Sequence, residues 1–248
     1  MLLSTQAIVL HTTPYSETSV IAQVFTRQLG LKTYISKGAR GGKGRGRAAL
    51  LQPMHQLDMV VYNTPRKSVN HIKEMQMTHS SSSTSTSTIR TSLLFFMNEV
   101  LYKTLRADEP NQPLYDYVDN AISQLEKTTT PDVSFPIRYL IDVARFLGIE
   151  PYDNYGSTET VFNISEGRFQ AFPTRVYLEK HPTARFFDAE QSKYLHQYLH
   201  SIHTNTPPPS LDLQQRIKLI NHLLDYYQEH LPTFKNFQSH HVLHDVLC

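Results

Sequence analysis

Residues 78–88 read Thr-His-Ser-Ser-Ser-Ser-Thr-Ser-Thr-Ser-Thr, a run with almost no apolar surface to bury, and the hydrophobic period differs on its two sides. Before it, Val, Ile, Phe, Tyr and Thr gather in short strand-like segments; after it, apolar residues recur every three or four positions. A chain divided in this way is expected to be α+β, with one domain over 1–79 and a second over 80–248. Its 248 residues, 40% of them hydrophobic, supply core enough for both. The last Ser or Thr of the tract is placed to cap the helix that follows.

Strands are expected over 6–10, 18–26 and 31–36, with breaks at Pro14-Tyr15-Ser16 and at Gly30. In the third, alternation sends Leu31, Thr33 and Ile35 to one side and Lys32, Tyr34 and Ser36 to the other. The second set, a cation beside an aromatic ring, is the one expected to face a single-stranded nucleic acid, with bases stacked on the ring and phosphates against the charge. One helical turn over 47–52 and two further strands, 54–62 and 69–77, complete the segment. Five short strands interrupted after the third is the order of an OB-fold barrel, and an SH3-like barrel reads much the same.

Between the third strand and the short helix lies Lys37-Gly-Ala-Arg-Gly-Gly-Lys-Gly-Arg-Gly-Arg47, five cations among five of the chain's nine glycines. Glycine lets backbone amides approach a partner closely, and the cations can neutralise a row of phosphates. Up to residue 79 the chain holds ten Lys or Arg against Glu17, Asp58 and Glu74, so a net charge of +2 overall conceals a strongly basic first part. That asymmetry points to a polyanion for the first domain and to other partners for the second. Lys32, Tyr34, Lys37, Arg40, Lys43, Arg45 and Arg47 are the candidate binding residues.

Downstream, Leu93, Phe96, Met97, Val100, Leu101 and Leu105 mark a helix from Ile89, and further helices are expected over 114–125, 136–147, 189–203, 211–230 and 239–247. Segments 160–164 and 168–172 flank Ser165-Glu166-Gly167 as a small hairpin.

Several chemistries are not written here. A P-loop ending at Lys43 needs glycine at 37 and Ser or Thr at 44, where the chain has Lys37 and Gly44. Gly44-Arg-Gly-Arg-Ala-Ala49 fits a dinucleotide fingerprint in letters but lacks a strand-helix-strand setting, and Asp58 is too near to serve the ribose. Three scattered acids cannot assemble a nuclease metal site, and no G-x-S-x-G or H-E-x-x-H stretch occurs. The expectation is a protein that is not an enzyme and needs no cofactor or metal. His240, His244 and Cys248 share a helical face, as do His196, His200 and His203, but neither set presents a fourth metal ligand. A single cysteine and no run of about 18 apolar residues are those of a cytoplasmic protein with no membrane span.

The first 75 residues resemble the bacterial recombination mediator family RecO. The resemblance is carried by Val9-Leu10, Pro14-Tyr15-Ser16-Glu17-Thr18, Phe25-Thr26-Arg27, Gly30, Lys37-Gly38-Ala39-Arg40, Ala49-Leu50-Leu51-Gln52-Pro53 and Ile72-Lys73-Glu74. It continues through Asn98-Glu99-Val100-Leu101, Arg138-Tyr139-Leu140 and Phe146-Leu147-Gly148-Ile149-Glu150-Pro151. It implies an N-terminal OB-fold, a helical C-terminal domain, binding of single- and double-stranded DNA, strand annealing, and joint action with RecR to load RecA at the nucleoid. It further implies that the helical domain docks the C-terminal tail of single-stranded DNA-binding protein, with Arg138 placed to meet the tail's carboxylate. Where many relatives carry paired zinc-knuckle cysteines, this chain has Asp153-Asn154-Tyr155-Gly156, so zinc is not expected there and the 160–172 hairpin would take its place. Two rival readings stand beside this one: an enzyme acting on nucleotides or nucleic acids, and a barrel that binds structured RNA.

Overall fold

A computed structural model describes residues 1–39, 45–64, 67–78, 87–130 and 132–246, with backbone alone at 45 and 244–246. The chain forms two compact units, Met1–Thr130 and Pro131–Cys248.

In the first unit, β1 (Leu2–Pro14), β2 (Val20–Thr26), β3 (Gly30–Ser36), the short helix α1 (Arg45–Leu50), β4 (Gln56–Tyr62) and β5 (Val69–Met77) follow in sequence. They close into a barrel in the order β1-β2-β3-β5-β4. The closure rests on two pairings that sequence order does not reveal: β3 runs parallel to β5, and β4 returns antiparallel to β1. This crossing is the Greek-key closure of an OB-fold. Ala7, Val9, Ala22, Val24, Leu57, Met59 and Val61 fill the interior, and Ala39 and Leu51, on either side of α1, join the same core.

Helices α2 (Thr88–Thr104) and α3 (Gln112–Lys127) belong to this unit as well. Composition and hydrophobic period change within 78–88, whereas the compact units divide after Thr130. The reason is apolar surface outside the barrel: Ile8, Leu10 and Phe25 are at most 1% exposed although they are not part of the interior core. Helix α2 lies along β1, and Tyr115 of α3 meets the Phe25 ring edge-on at 5.4 Å. Arg27 clasps Asp116 through two hydrogen bonds, Nε to Oδ1 at 2.6 Å and Nη2 to Oδ2 at 3.0 Å; the hydrogen bonding raises the guanidinium pKa and lowers that of the carboxyl. The Gln56 amide nitrogen donates to the Asp119 backbone carbonyl at 2.8 Å. At Gly30 the backbone takes a left-handed φ of 70°, and a Cβ there would land on the carbonyl of Glu109.

The second unit contains α4 (Phe135–Phe146), the hairpin β6 (Val161–Asn163) and β7 (Arg168–Gln170), then α5 (Arg175–Lys180), α6 (Ala189–Thr204), α7 (Leu213–His230) and α8 (Ser239–Val246). Caps fix the long helices: the Asp188 carboxylate accepts from Gln191 N at 2.8 Å, and Asp212 with Gln215 forms a capping box. Helices α4, α6 and α7 pack on one another, and Phe162 of the hairpin meets Phe169, Phe187 and Tyr226 at 5.0–5.6 Å between ring centres. The six helices and the hairpin expected from periodicity are present within a few residues, while the six-residue α5 was not expected because none of its residues is buried.

Replacing Gly30 by Ala imposes left-handed strain of about 1 to 2 kcal/mol and pushes the Glu109 backbone away. Urea unfolding of the G30A variant should show at least that loss of stability.

Candidate nucleic-acid interface

Strand register places two rows of side chains side by side on the outer wall of the barrel. One row is Thr13, Ile21, Ile35 and His71; the next is His11, Gln23, Thr33 and Val69. No Lys, Arg, Asp or Glu occurs in either row. His11, Thr13 and His71 are exposed and the other five half-buried, whereas Ile8, Leu10 and Phe25 on the neighbouring part of this wall are covered, with a register shift in β1 between Val9 and His11. An uncharged wall on strands 2 and 3 is where OB barrels take oligonucleotides.

Cations stand at its edge. Val20 pairs with Ser36, so the β1–β2 connection and the start of the glycine-rich loop leave the barrel side by side. The first carries Tyr15, 63% exposed, and the second carries exposed Lys37, which among the described residues meets no acid. Gly38 then turns through φ 68°, which carries Ala39 into the barrel core. Arg40 and Lys43 lie outside the described residues, and Arg45 is described by backbone alone, as the first residue of α1. Arg47 donates from Nη2 to the Lys73 carbonyl at 2.9 Å and pairs with no acid among the described residues. Of this segment's three acids, Glu17 is exposed in the β1–β2 connection beside Tyr15, at the same end as Lys37, and the other two are placed apart from the two rows. Asp58 and Glu74 line an open groove on the β1, β4 and β5 side, and Glu74 is paired with Lys73 at 3.3 Å.

The third strand requires a correction. Lys32, Tyr34 and Ser36 form its inward set, and the outward set is Leu31, Thr33 and Ile35. Tyr34 is 1% exposed within the barrel core, and burial, with the Asp108 charge as a lesser cause, pushes its phenol up to about 12. Its cross-strand partner is Ala22, whose small side chain leaves the volume that the ring fills. Lys32 bonds to Asp108 in the segment after α2. Neither residue therefore offers the exposed cation and ring expected of it. The alternation is legible in the sequence but not which set faces water, and the outer positions of His11, Gln23, Thr33 and His71 carry no sequence signal beyond that same alternation.

Of the second unit's candidates, Arg138 sits on α4, half-buried and without a side-chain ion pair among the described residues. At the position after Pro151, Asn154 bonds twice to the Phe169 backbone, accepting from its N at 2.8 Å and donating to its O at 2.9 Å. Tyr155 stacks on His196 at 4.5 Å, and His196 Nδ1 lies 2.8 Å from Asp153 Oδ1. His203 is engaged with Glu150 at 3.1 Å. Among the described residues no three His, Cys, Asp or Glu are grouped to hold a metal. Of the terminal stripe, Cys248 and the His244 side chain lie outside the described residues.

The Tyr34 assignment is open to a direct check. Tyr34→Ala should cost about 3 to 5 kcal/mol of stability in urea unfolding, while Tyr34→Phe, which keeps the ring, should lose far less.

Two family descriptions match the chain, "Recombination protein O N terminal" over residues 1–81 and "Recombination protein O C terminal" over residues 86–236. The chain is 26% identical over 247 residues to a DNA repair protein RecO of Christiangramia forsetii, covering 99% of each chain. It is 28% identical over 248 residues to that of Porphyromonas gingivalis, covering 98% of each, and 26% identical to that of Phocaeicola vulgatus, covering 99% of each. With matches to both halves of the family and relatives aligned over nearly its whole length, this chain belongs to the RecO family of DNA repair proteins.

Proposed function

We propose that this protein binds single- and double-stranded DNA, anneals complementary strands and, with RecR, helps load RecA on DNA coated with single-stranded DNA-binding protein. The observation that carries the reading is the uncharged strand wall bordered by exposed Lys37, where the glycine-rich cationic sequence begins, with Asp58 and Glu74 set on another side and Glu17 the single acid of the adjoining β1–β2 connection. Cations at the border contact phosphates without regard to sequence, and the wall accepts bases. Annealing then needs no bond to be made or broken. Lys37, Arg40, Lys43, Arg45 and Arg47 screen the repulsion between two polyanions held close together.

In this reading residues 1–79 hold DNA and residues 80–248 meet proteins, with Arg138 taking the carboxylate at the end of the partner's tail. No helix among the described residues is long and apolar enough to cross a membrane, which fits work on cytoplasmic, nucleoid-associated DNA.

Neutralising about five phosphates of a single strand makes affinity fall roughly a hundredfold between about 50 and 200 mM salt. Replacing the five loop cations by Ala should flatten that slope in fluorescence anisotropy titrations; an unaltered slope would place the DNA elsewhere. Annealing should persist in EDTA and without ATP, whereas turnover that needs either magnesium or ATP would favour the enzyme reading.

The partner assignment has its own measurement. Arg138→Glu should abolish the difference in annealing between strands coated with intact single-stranded DNA-binding protein and strands coated with a form lacking its last residues. Annealing of bare strands should be unaffected.

A further inference from the structure

We infer that the single-strand path leaves the barrel wall across a stacking platform on helix α2, formed by Tyr102 with His11 and extended by Phe95, with Arg106 as its phosphate contact. The inference rests on the DNA-binding reading above and extends it to residues outside the barrel.

Helix α2 buries Leu93, Phe96, Met97, Val100 and Leu101, yet its opposite face exposes two rings, Phe95 at 54% and Tyr102 at 43%. Large exposed aromatics on an otherwise well-buried helix call for a reason. Seven residues apart, they stand on one face with about 10 Å between them along the axis, a spacing that successive unstacked bases of an extended strand can bridge. Tyr102 lies at the end next to the open wall: its ring is 5.5 Å from that of His11, which itself begins the row His11, Gln23, Thr33. Thr13 Oγ1, 3.1 Å from His11 Nε2, holds the imidazole in place. The platform is thus continuous with the wall rather than a separate patch.

The charges around the platform are mixed, with a cation free at its end: Glu99, between the two rings along the helix, is paired with Lys103 at 3.6 Å, and Glu109 is exposed in the segment after α2. Arg106 follows the end of α2, is exposed, and makes no ion pair among the described residues. The next residue, Ala107, bridges to Leu31 of β3, and Asp108 N donates to the Leu31 carbonyl at 3.2 Å, so this segment runs beside the open strands. The Asp108 carboxylate is engaged by Lys32. Lys32, expected to contact DNA itself, instead offsets the acid nearest to Arg106 in sequence.

The chain has no tryptophan, so Tyr102→Trp in the full-length protein creates a single indole reporter. Its emission should be quenched by a short oligothymidylate with the midpoint of wild-type binding, and not by an abasic strand of equal length. Tyr102→Ala should weaken oligothymidylate binding about fivefold or more and leave abasic binding and the salt slope as in the wild type. Absence of quenching at saturation, or equal loss for both strands, would overturn the platform. The base-versus-abasic ratio reports Tyr102 and the salt slope reports the cationic loop, so either reading can fail while the other stands. The reporter variant decides the matter even if the Ala variant does not fold.

Discussion

Everything in the first unit depends on β1 being shared by two neighbours. Its N-terminal part, Leu2 to Ile8, pairs with β4, and its C-terminal part, Ala7 to Pro14, pairs with β2, so one strand closes the barrel. A strand can serve both sides only if it bends, and the register shift between Val9 and His11 supplies the irregularity. The same irregularity divides the outer wall. Before it, Ile8 is apolar and covered; after it, His11 and Thr13 are exposed and uncharged. The bend that closes the barrel and the start of the neutral strip that leads to Lys37 therefore fall at the same place in β1.

Much of this was legible in the sequence because periodicity reports which residues share a face. The five strands, the Ser165-Glu166-Gly167 turn and the long helices lie close to where alternation and three-to-four spacing place them. Periodicity does not say which of two faces is inside. In β3 the inward set contains Lys32, and a lysine ordinarily marks the solvent side. Here Lys32 bonds to Asp108, 76 residues on, and Tyr34 is admitted because Ala22 stands opposite. Both facts depend on pairings between distant segments, which no local pattern encodes. Likewise the helices α2 and α3 follow a change of composition, yet they fold onto the barrel because Phe25 and Ile8 need cover.

The hairpin of the second unit is held by contacts of two different kinds. Asn154 uses both ends of its amide on the Phe169 backbone, which ties the 151–156 segment to β7 as a strand pairing would. The rings of Phe162, Phe169, Phe187 and Tyr226 then give the hairpin an apolar anchor, with Phe162 meeting Phe169 and Phe187 edge-on and Tyr226 at a tilt. Gly167 completes the fit. Its φ of 66° makes the turn, and a Cβ there would come within 2.9 Å of the Tyr226 hydroxyl.

The distribution of charge follows a comparable economy. Arg27 and Lys32, on the part of the barrel next to α2 and α3, are each committed to an acid of the helical segments, Asp116 and Asp108. Lys37 and Arg47, on the other side of β3, meet no acid among the described residues. Internal pairing and availability to a polyanion are exclusive uses of a cation, since a guanidinium or ammonium already neutralised releases little when a phosphate arrives. The fold thus divides the basic residues of one segment into those paired with acids of the helical segments and those that are not. Under the proposed function, a strand gripped at its phosphates by the second group would keep its base-pairing edges uncommitted, the condition under which two bound strands can pair.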